Sequence, residues 1–320
     1  MEREKPNILV SACVEFKSCR YNGQCINSPE VRGLMEYVNF IPVCPEVAIG
    51  LPVPRDPIRL VQGSDKSVLL VDSENGKDYT SSMDQFIESF LNTLDTVDGV
   101  ILKGRSPTCG IGNVRIYPSH GKVTQLHSKE TGLFGRAVLE RYPEAPIEDE
   151  GRLNNLSIRE HFLTRLYTIH QFNQLTGTMG ALVEFHSSSK YLMMAYNQHL
   201  LKEAGKLTAN HDRLEPAQVY RRYRSLLTNM FSQPPKIQST INVLQHLFGY
   251  VSKNLNAKEK SFFLESLERY RHKQIPLAGV TAQLQSWILR FDSPYLARQT
   301  FFQPFPEGLQ SIFDSSKGRI

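Results

Sequence analysis

Residues 99–110 read GVILKGRSPTCG, a short apolar run followed by a loop that contains proline, glycine and one cysteine. An apolar run of this length bounded by turn residues predicts a buried strand over 99–102. The same arrangement occurs twice earlier, at 7–13 (NILVSAC) and at 39–44 (NFIPVC). Each of these three segments therefore predicts a strand that leads into a cysteine.

Helical patterns separate the predicted strands. Helices are predicted over 29–38, 81–94 and 132–141, and a further strand over 68–71. The proline- and arginine-rich segment 53–63 is predicted to be a loop. Because strands and helices alternate along the chain, the first half is predicted to be an α/β domain with a mostly parallel sheet covered by helices.

The second half of the chain has a helical pattern almost throughout. Its predicted helices cover 157–174, 180–204, 216–230, 237–255, 257–273 and 279–291. Prolines and glycines fall mostly between them, as expected for helix boundaries. We therefore predict an α/β domain over 1–155, a linking helix over 156–178 and an all-α helical domain over 179–320.

Composition and charge narrow the possible functions. The chain has 320 residues, which suits two globular domains, and no run approaches the roughly 18 apolar residues of a membrane span. The charged N-terminus does not resemble a signal peptide, so a cytoplasmic protein is expected. Residues 1–178 carry 19 basic and 22 acidic side chains, whereas 179–320 carry 18 and 10. The resulting net charges of −3 and +8 suggest that the second domain could meet an anion such as a nucleic acid.

The five cysteines are confined to the first third of the chain: Cys13, Cys19, Cys25, Cys44 and Cys109. An odd number in a reducing compartment makes a disulfide framework improbable, which leaves buried free thiols or metal ligands. Cys13, Cys44 and Cys109 each follow a predicted strand, and the carboxyl ends of parallel strands share one edge of a sheet. Three thiolates do not complete a structural zinc site but can hold an iron–sulfur cluster with one iron open.

Two alternatives stay open from the residues alone. The three strand-end cysteines could be buried thiols with no ligand, since free cysteine is among the most buried residue types. Cys13, Cys19 and Cys25 form a second constellation with even spacing, but that spacing matches no compact zinc or cluster motif.

The first half contains four motifs in a fixed order: Ser11-Ala12-Cys13, Cys19-Arg20-Tyr21-Asn22-Gly23, Pro42-Val43-Cys44-Pro45-Glu46 and Ser106-Pro107-Thr108-Cys109-Gly110. Together with 50–55 (GLPVPR), these motifs resemble the signature of the YbbK-like family, which includes thiouracil desulfidase. The resemblance covers roughly residues 7–150.

The resemblance implies a 4Fe–4S cluster held by Cys13, Cys44 and Cys109. It also implies removal of sulfur from a thiolated pyrimidine, with the substrate sulfur on the open iron. The family has two further active-site positions, and the resemblance places them on Glu46 and Ser106. Glu46 would act as a general base toward water, and Ser106 would act as a proton relay. Alternatively, Glu46 caps local N–H groups and Ser106 is a turn residue. The family usually continues its first motif as Cys-Leu-Leu-Gly, so Glu15 would add negative charge beside the cluster.

The second half resembles the YbgA family over roughly residues 180–310. The residues that carry the resemblance include 185–195 (FHSSSKYLMMA) and 242–247 (NVLQHL). His186 is predicted to share a helix face with Lys190, and Asn242 to share one with His246. These residues could line a polar pocket between two helices. Alternatively, they form hydrogen bonds within a helical core. The segment 220–224 (YRRYR) mixes cations with aromatic rings, as nucleic-acid surfaces do, although a solvated helix face is the simpler interpretation.

Together these features predict an iron–sulfur desulfidase acting on a thiolated pyrimidine base, nucleoside or RNA. A nucleic-acid-binding or repair-accessory protein with a structural cluster is the first alternative. A redox sensor is the second.

Overall fold

The computed structural model describes residues 4–310, which form two compact units. The N-terminal unit comprises the described residues up to 166 together with 308–310, and the C-terminal unit comprises 167–307. None of the helices in the described part of the chain has the length and apolar character needed to cross a membrane.

The N-terminal unit combines strands and helices in alternation. Its strands are β1 (Asn7–Ser11), β2 (Asn39–Val43), β3 (Ile58–Gln62), β4 (Val68–Asp72), β5 (Gly99–Leu102), β6 (Val114–Tyr117), β7 (His127–Glu130) and β8 (Ile147–Asp149). Its helices are α1 (Pro29–Arg32), α2 (Pro45–Ala48), α3 (Thr80–Asn92), α4 (Leu133–Arg141) and the start of α5 (Leu156–Asn173). The division between the units falls inside α5, whose linking role stays a prediction.

The predicted parallel sheet is present. Its strand order is β2-β1-β5-β8, and every neighbouring pair is parallel. The central strand β1 pairs with β2 from Asn7↔Asn39 to Ser11↔Val43, and with β5 from Ile8↔Gly99 to Val10↔Ile101. Ile8, Leu9 and Val10 have no solvent exposure, as expected for a strand covered on both faces.

A second, mixed sheet was not predicted. Its order is β4-β3-β6-β7, with β3 antiparallel to β4 and parallel to β6. The strand predicted over 68–71 therefore exists as β4 but lies outside the parallel sheet. The loop predicted over 53–63 is wrong in its second part, because β3 begins directly after Pro57 and buries Ile58, Leu60 and Val61.

Two predicted helices are shorter than expected. Ser28 caps α1 through its Oγ, which accepts from the Val31 N–H, but α1 ends at Arg32 and turns continue to Val38. The single helix predicted over 180–204 is three helices, α6 (Met179–Ser188), α7 (Lys190–Tyr196) and α8 (Gln198–Ala209). Asn197 starts the third one, since its Oδ1 accepts from two N–H groups of the first turn.

The C-terminal unit is helical, as predicted. After α8 it contains α9 (Pro216–Met230), α10 (Ile237–Val251), α11 (Ala257–Arg271), α12 (Leu277–Arg290) and α13 (Pro294–Ala297). Its core is rich in aromatic side chains, among them Tyr223, Phe231 and Phe263, which are fully buried.

Helix α4 packs directly on the backbone of the loop that contains Cys109. The Gly132 N–H donates to Gly110 O at 2.7 Å, and the Gly135 N–H donates to Thr108 O at 3.0 Å. A Cβ on Gly135 would lie 2.5 Å from Gly110 O and 2.8 Å from Cys109 O. Only glycine permits this approach, so α4 fixes the Cys109 loop through backbone contact.

We expect Gly135→Ala to lower the free energy of unfolding by about 1–3 kcal/mol, because the new methyl group must displace two backbone carbonyls. Urea denaturation followed by far-UV circular dichroism measures the change. Gly112→Ala is the matched control, since a Cβ there meets no atom within 4 Å. Equal stability of the two variants would contradict the close packing of α4.

Candidate functional site

The carboxyl edge of the parallel sheet gathers residues that follow all four strands. Cys44 comes directly after β2, Cys13 two residues after β1, and Cys109 lies in the loop after β5. Glu150 comes directly after β8. Because all four strands run in the same direction, their carboxyl ends form one rim, where open α/β sheets bind ligands.

The Cys13 segment is a tight turn closed by a parallel bridge between Val14 and Ile26. Cys13 O accepts from the Ile26 N–H at 2.7 Å, and Cys25 Sγ donates to the same carbonyl at 3.4 Å. Cys25 is exposed, whereas Cys13 is half-buried. Cys25 therefore contacts the Cys13 backbone from the outside.

Glu15 does not leave an uncompensated charge beside Cys13. Its carboxylate accepts from the Ser28 N–H and pairs with Arg32, Nε to Oε2 at 3.0 Å. Its backbone φ is 71°, which lies in the left-handed region that residues other than glycine rarely adopt. Glu15 thus closes the turn and ties it to α1.

Cys44 stands at the junction of β2 and α2. It occupies the N-cap position in extended conformation, and Pro45 begins the helix. Its Sγ donates to Cys19 O at 4.0 Å, and burial together with the neighbouring Cys44 thiol raises the pKa of Cys19 to about 12. The site therefore includes a fourth thiol beside one of the three strand-end cysteines.

Cys109 is positioned by the turn that precedes it. Ser106 Oγ accepts from the Thr108 N–H at 3.2 Å and from the Cys109 N–H at 3.0 Å. The Gly110 N–H donates to Ser106 O at 2.9 Å. Ser106 thus has the contacts of a turn residue. Its own hydroxyl hydrogen is not used by these two bonds and can be donated to another group.

The raised pKa values of Cys13 and Cys109 indicate that these two thiols share one environment with Cys44. Burial, reinforced by the charges of Cys44, Glu150 and Glu46, raises the pKa of Cys13 to about 12, and Lys103 opposes the shift. Burial also raises the pKa of Cys109 well above its usual value, with Cys13, Glu46 and Cys44 adding to it and a Ser11 hydrogen bond opposing it. Three thiolates at this rim therefore need added positive charge, as a metal centre supplies.

Within residues 4–310, no three His, Cys, Asp or Glu side chains have the arrangement that holds a single metal ion. The donor set itself, three mutually interacting cysteines on three strand ends, has the chemistry of an iron–sulfur ligand set. These residues fit such a cluster.

Glu46 lies in the same site, on the first turn of α2. Its Oε2 accepts from Arg55 Nη2 at 2.5 Å and from Arg55 Nε at 3.2 Å, and its Oε1 accepts from Thr108 Oγ1 at 3.0 Å. Both partners are side chains, so the alternative that Glu46 only caps local N–H groups does not describe its contacts. The carboxylate is fixed in orientation by the Cys109 loop on one side and Arg55 on the other.

Several site residues were not predicted. Lys103 Nζ pairs with Glu150 Oε1, and the Gly104 N–H donates to Glu150 Oε2 at 2.7 Å. Ser11 Oγ accepts from the Lys103 N–H at 2.9 Å. Lys103 and Ser11 directly adjoin strand ends, a signal that could have identified them, whereas nothing around Glu150 in the sequence marks it.

A cleft of about 540 Å³ adjoins Arg55 and has a size typical of small-molecule sites. Its other lining residues are Leu51, Pro52, Pro54, Asp56, Asp72 and Tyr79. Arg55 therefore connects the wall of this cleft to Glu46.

In the C-terminal unit, His186 and His246, which the sequence analysis considered for one polar pocket, have different surroundings. His186 Nδ1 and Tyr223 Oη are 3.0 Å apart, and Tyr223 also donates to Met193 Sδ. Burial, then the charge of Lys190, lowers the pKa of His186. His186 is thus paired with a core tyrosine, whereas His246 is exposed.

The aromatic residues of the segment 220–224 do not form a stacking surface. Tyr223 is fully buried, and its ring stacks on Phe172 at 5.5 Å. Tyr220 also packs on Phe172, and its hydroxyl donates to Thr178 O at 2.8 Å. Arg221 and Arg222 are exposed on α9. The interpretation of 220–224 as a base-stacking motif is therefore wrong, and its arginines belong to a solvated helix face.

The two halves of the chain match different family models. The family model described as 2-thiouracil desulfurase matches residues 8–150, and the model described as a protein of unknown function, DUF1722, matches residues 190–306. The uncharacterized protein YbgA of Escherichia coli (strain K12) is 24% identical over 148 residues, which cover 45% of this chain and 88% of that protein.

Two further relatives match at higher identity. A solved structure of the [4Fe-4S]-dependent thiouracil desulfidase TudS is 33% identical, with a TM-score of 0.38, covering 47% of this chain and 93% of that one. The uncharacterized protein YbbK of Bacillus subtilis (strain 168) is 30% identical over 158 residues, which are 47% of this chain and 99% of YbbK. The chain therefore belongs, through its N-terminal unit, to the 2-thiouracil desulfurase family that the YbbK-like motifs indicated.

Proposed function

We propose that the protein is an iron–sulfur-dependent desulfidase that replaces the sulfur of a thiolated pyrimidine by oxygen. The observation that carries the proposal is the meeting of Cys13, Cys44 and Cys109 with Glu46 at one rim of the parallel sheet. Membership of the 2-thiouracil desulfurase family supports the reaction class. The overall change is hydrolytic: a carbon–sulfur bond breaks, a carbon–oxygen bond forms, and no net oxidation occurs.

Cys13, Cys44 and Cys109 would hold a 4Fe–4S cluster. Such a cluster supplies one iron without a protein ligand, a Lewis acid that can bind the substrate sulfur. The residues around the cysteines match this role, because Ser106, Gly132 and Gly135 hold the Cys109 loop. Pro45 and the end of β2 hold Cys44.

Glu46 is the general base in this proposal. Arg55 donates two hydrogen bonds to Oε2, whereas Oε1 accepts from Thr108 and retains a lone pair that can accept a proton from water. Fixed orientation matters because proton transfer requires the base within hydrogen-bond reach of the attacking water. Arg55 also balances the charge of the carboxylate next to the thiols.

Ser106 acts first as a positioning residue in this proposal. Its Oγ holds the Cys109 N–H, and its hydroxyl hydrogen can be donated to the departing group, as expected for a proton relay. The substrate is a thiolated pyrimidine base, nucleoside or RNA. Contact of an RNA with the basic C-terminal half stays a prediction.

Replacing any one of the three ligand cysteines is expected to remove most of the iron and acid-labile sulfide from anaerobically reconstituted protein. The reason is that two remaining thiolates cannot hold the cluster in place. Iron and sulfide assays on Cys13→Ala, Cys44→Ala and Cys109→Ala test this. Cys25→Ser is the control and should keep the wild-type content. Unchanged iron in Cys109→Ala would overturn the ligand assignment.

Glu46→Gln is expected to reduce kcat with 2-thiouracil by roughly 10²–10⁴-fold while the iron content stays unchanged, because the amide keeps the shape but cannot take a proton from water. Turnover is followed by the release of sulfide under anaerobic conditions. Glu130→Gln removes another carboxylate that pairs with an arginine, Arg136, and should leave kcat unchanged. Full activity of Glu46→Gln would exclude the general-base role.

Ser106→Ala separates positioning from proton relay. Loss of the Oγ leaves the Thr108 and Cys109 N–H groups without their acceptor, so we expect lower iron retention after gel filtration. Ser106→Thr keeps an acceptor at the same atom and should restore retention. If Ser106→Ala retains all of its iron yet loses turnover, the hydroxyl acts in proton transfer and not in positioning.

A further inference from the structure

Cys19 is a site thiol that the proposed reaction does not use. Its side chain is buried, with 6% of the residue exposed. Its backbone is fixed on both sides, because its N–H donates to Lys17 O at 2.8 Å and its carbonyl accepts from Arg55 Nη2 at 3.1 Å. Arg55 in turn binds Glu46, so Cys19 is tied into the same network as the proposed base.

The Cys19 side chain interacts mainly with Cys44. Cys44 Sγ lies 4.0 Å from Cys19 O, and after burial the Cys44 thiol is the main cause that raises the pKa of Cys19, with Cys13 adding less. Cys25, the other cysteine outside the ligand set, is exposed and directs its sulfur at the Cys13 carbonyl, 3.4 Å away, not at its thiol. Two neighbouring thiols, one buried and one half-buried, are the arrangement from which a disulfide forms with little movement.

We propose that Cys19 and Cys44 are a modification site: they form a reversible disulfide when Cys44 is not bound to iron. The inference rests on the proposed function only in taking Cys44 as a cluster ligand, since the contact between the two sulfurs does not depend on the cluster. Its effect is to protect a ligand that is otherwise exposed to oxidation whenever the cluster is lost.

The chemistry balances with a peroxide as the oxidant. The half-buried Cys44 is the more accessible of the two, and its thiolate attacks one peroxide oxygen, giving a sulfenic acid and releasing water. The Cys19 sulfur then attacks the Cys44 sulfur, the S–O bond breaks, and the second oxygen leaves as water. Two electrons pass from the two sulfurs to the peroxide, and both thiol protons end in water.

The disulfide competes with irreversible damage. A sulfenic acid without a neighbouring thiol proceeds to sulfinic acid, which thiol reductants do not restore. A disulfide is reopened by thiol exchange, which returns Cys44 as a ligand. Cys19 therefore preserves the capacity to rebuild the cluster without being one of its ligands.

The test uses the full chain stripped of iron by a chelator and treated with an excess of hydrogen peroxide, because oxidation of a thiol to sulfinic acid consumes one peroxide at the sulfenic step and another at the sulfinic step. Remaining thiols are then blocked with N-ethylmaleimide, and tryptic peptides are analysed without reduction by mass spectrometry. Trypsin places every cysteine on a different peptide, so each pairing is identified by mass. The five cysteine-containing peptides are residues 4–17, 18–20, 21–32, 33–55 and 106–115.

The expected product is the crosslink between 18–20 and 33–55, which a thiol reductant removes. Cys19→Ser should lack it, accumulate sulfinic acid on 33–55 and recover several-fold less iron after reduction and reconstitution, whereas Cys25→Ser should behave as wild type. A dominant crosslink between 4–17 and 21–32, or sulfinic acid on 33–55 of the wild type, would overturn the proposal. If the crosslink forms but reconstituted protein never binds iron, the pair stands and the proposed function fails.

Discussion

The site depends on the parallel pairing of β1 with β2 and β5. The register Ser11↔Val43 and the bond from the Ala12 N–H to Val43 O, 2.7 Å long, bring the ends of two strands side by side. Cys13 and Cys44 then emerge at the same rim. Because side chains alternate along a strand, a slip of one residue would turn the following segments away from each other. The buried residues of β1 therefore determine both the fold and the spacing of two thiols.

Cys109 reaches the same rim by a different route. It does not directly follow its strand, and a loop must fold back to bring it there. That loop is held by Ser106 within it and by α4 from outside, where Gly132 and Gly135 allow backbone to contact backbone. Gly132 is the N-cap of α4, but Gly135 lies within the helix and lowers helix stability, since glycine is the poorest helix former after proline. Their presence at the start of α4 is explained by the position of the loop rather than by the helix itself.

Much of this arrangement follows from the sequence, and the reasons for the exceptions are physical. Strand-end cysteines were identifiable because an apolar run followed by proline or glycine is a local signal. The polar contacts around those cysteines were not identifiable. The bond between Glu46 and Thr108 and the ion pair between Lys103 and Glu150 each join residues far apart in the chain. The burial of Tyr223 was not predictable for the same reason, because the composition of 220–224 does not show which side chain faces the core.

The charges of the rim explain why thiols, carboxylates and cations are arranged in this way. Glu46 and Glu150 each raise the pKa of Cys13, so bringing carboxylates to the thiols is unfavourable unless cations accompany them. Each carboxylate does have its own cation: Arg55 pairs with Glu46, and Lys103 with Glu150. Because these two cations are committed to carboxylates, little positive charge is left for three thiolates. The proposed cluster would supply that charge through its irons, which would balance the thiolates and the carboxylates gathered at this rim.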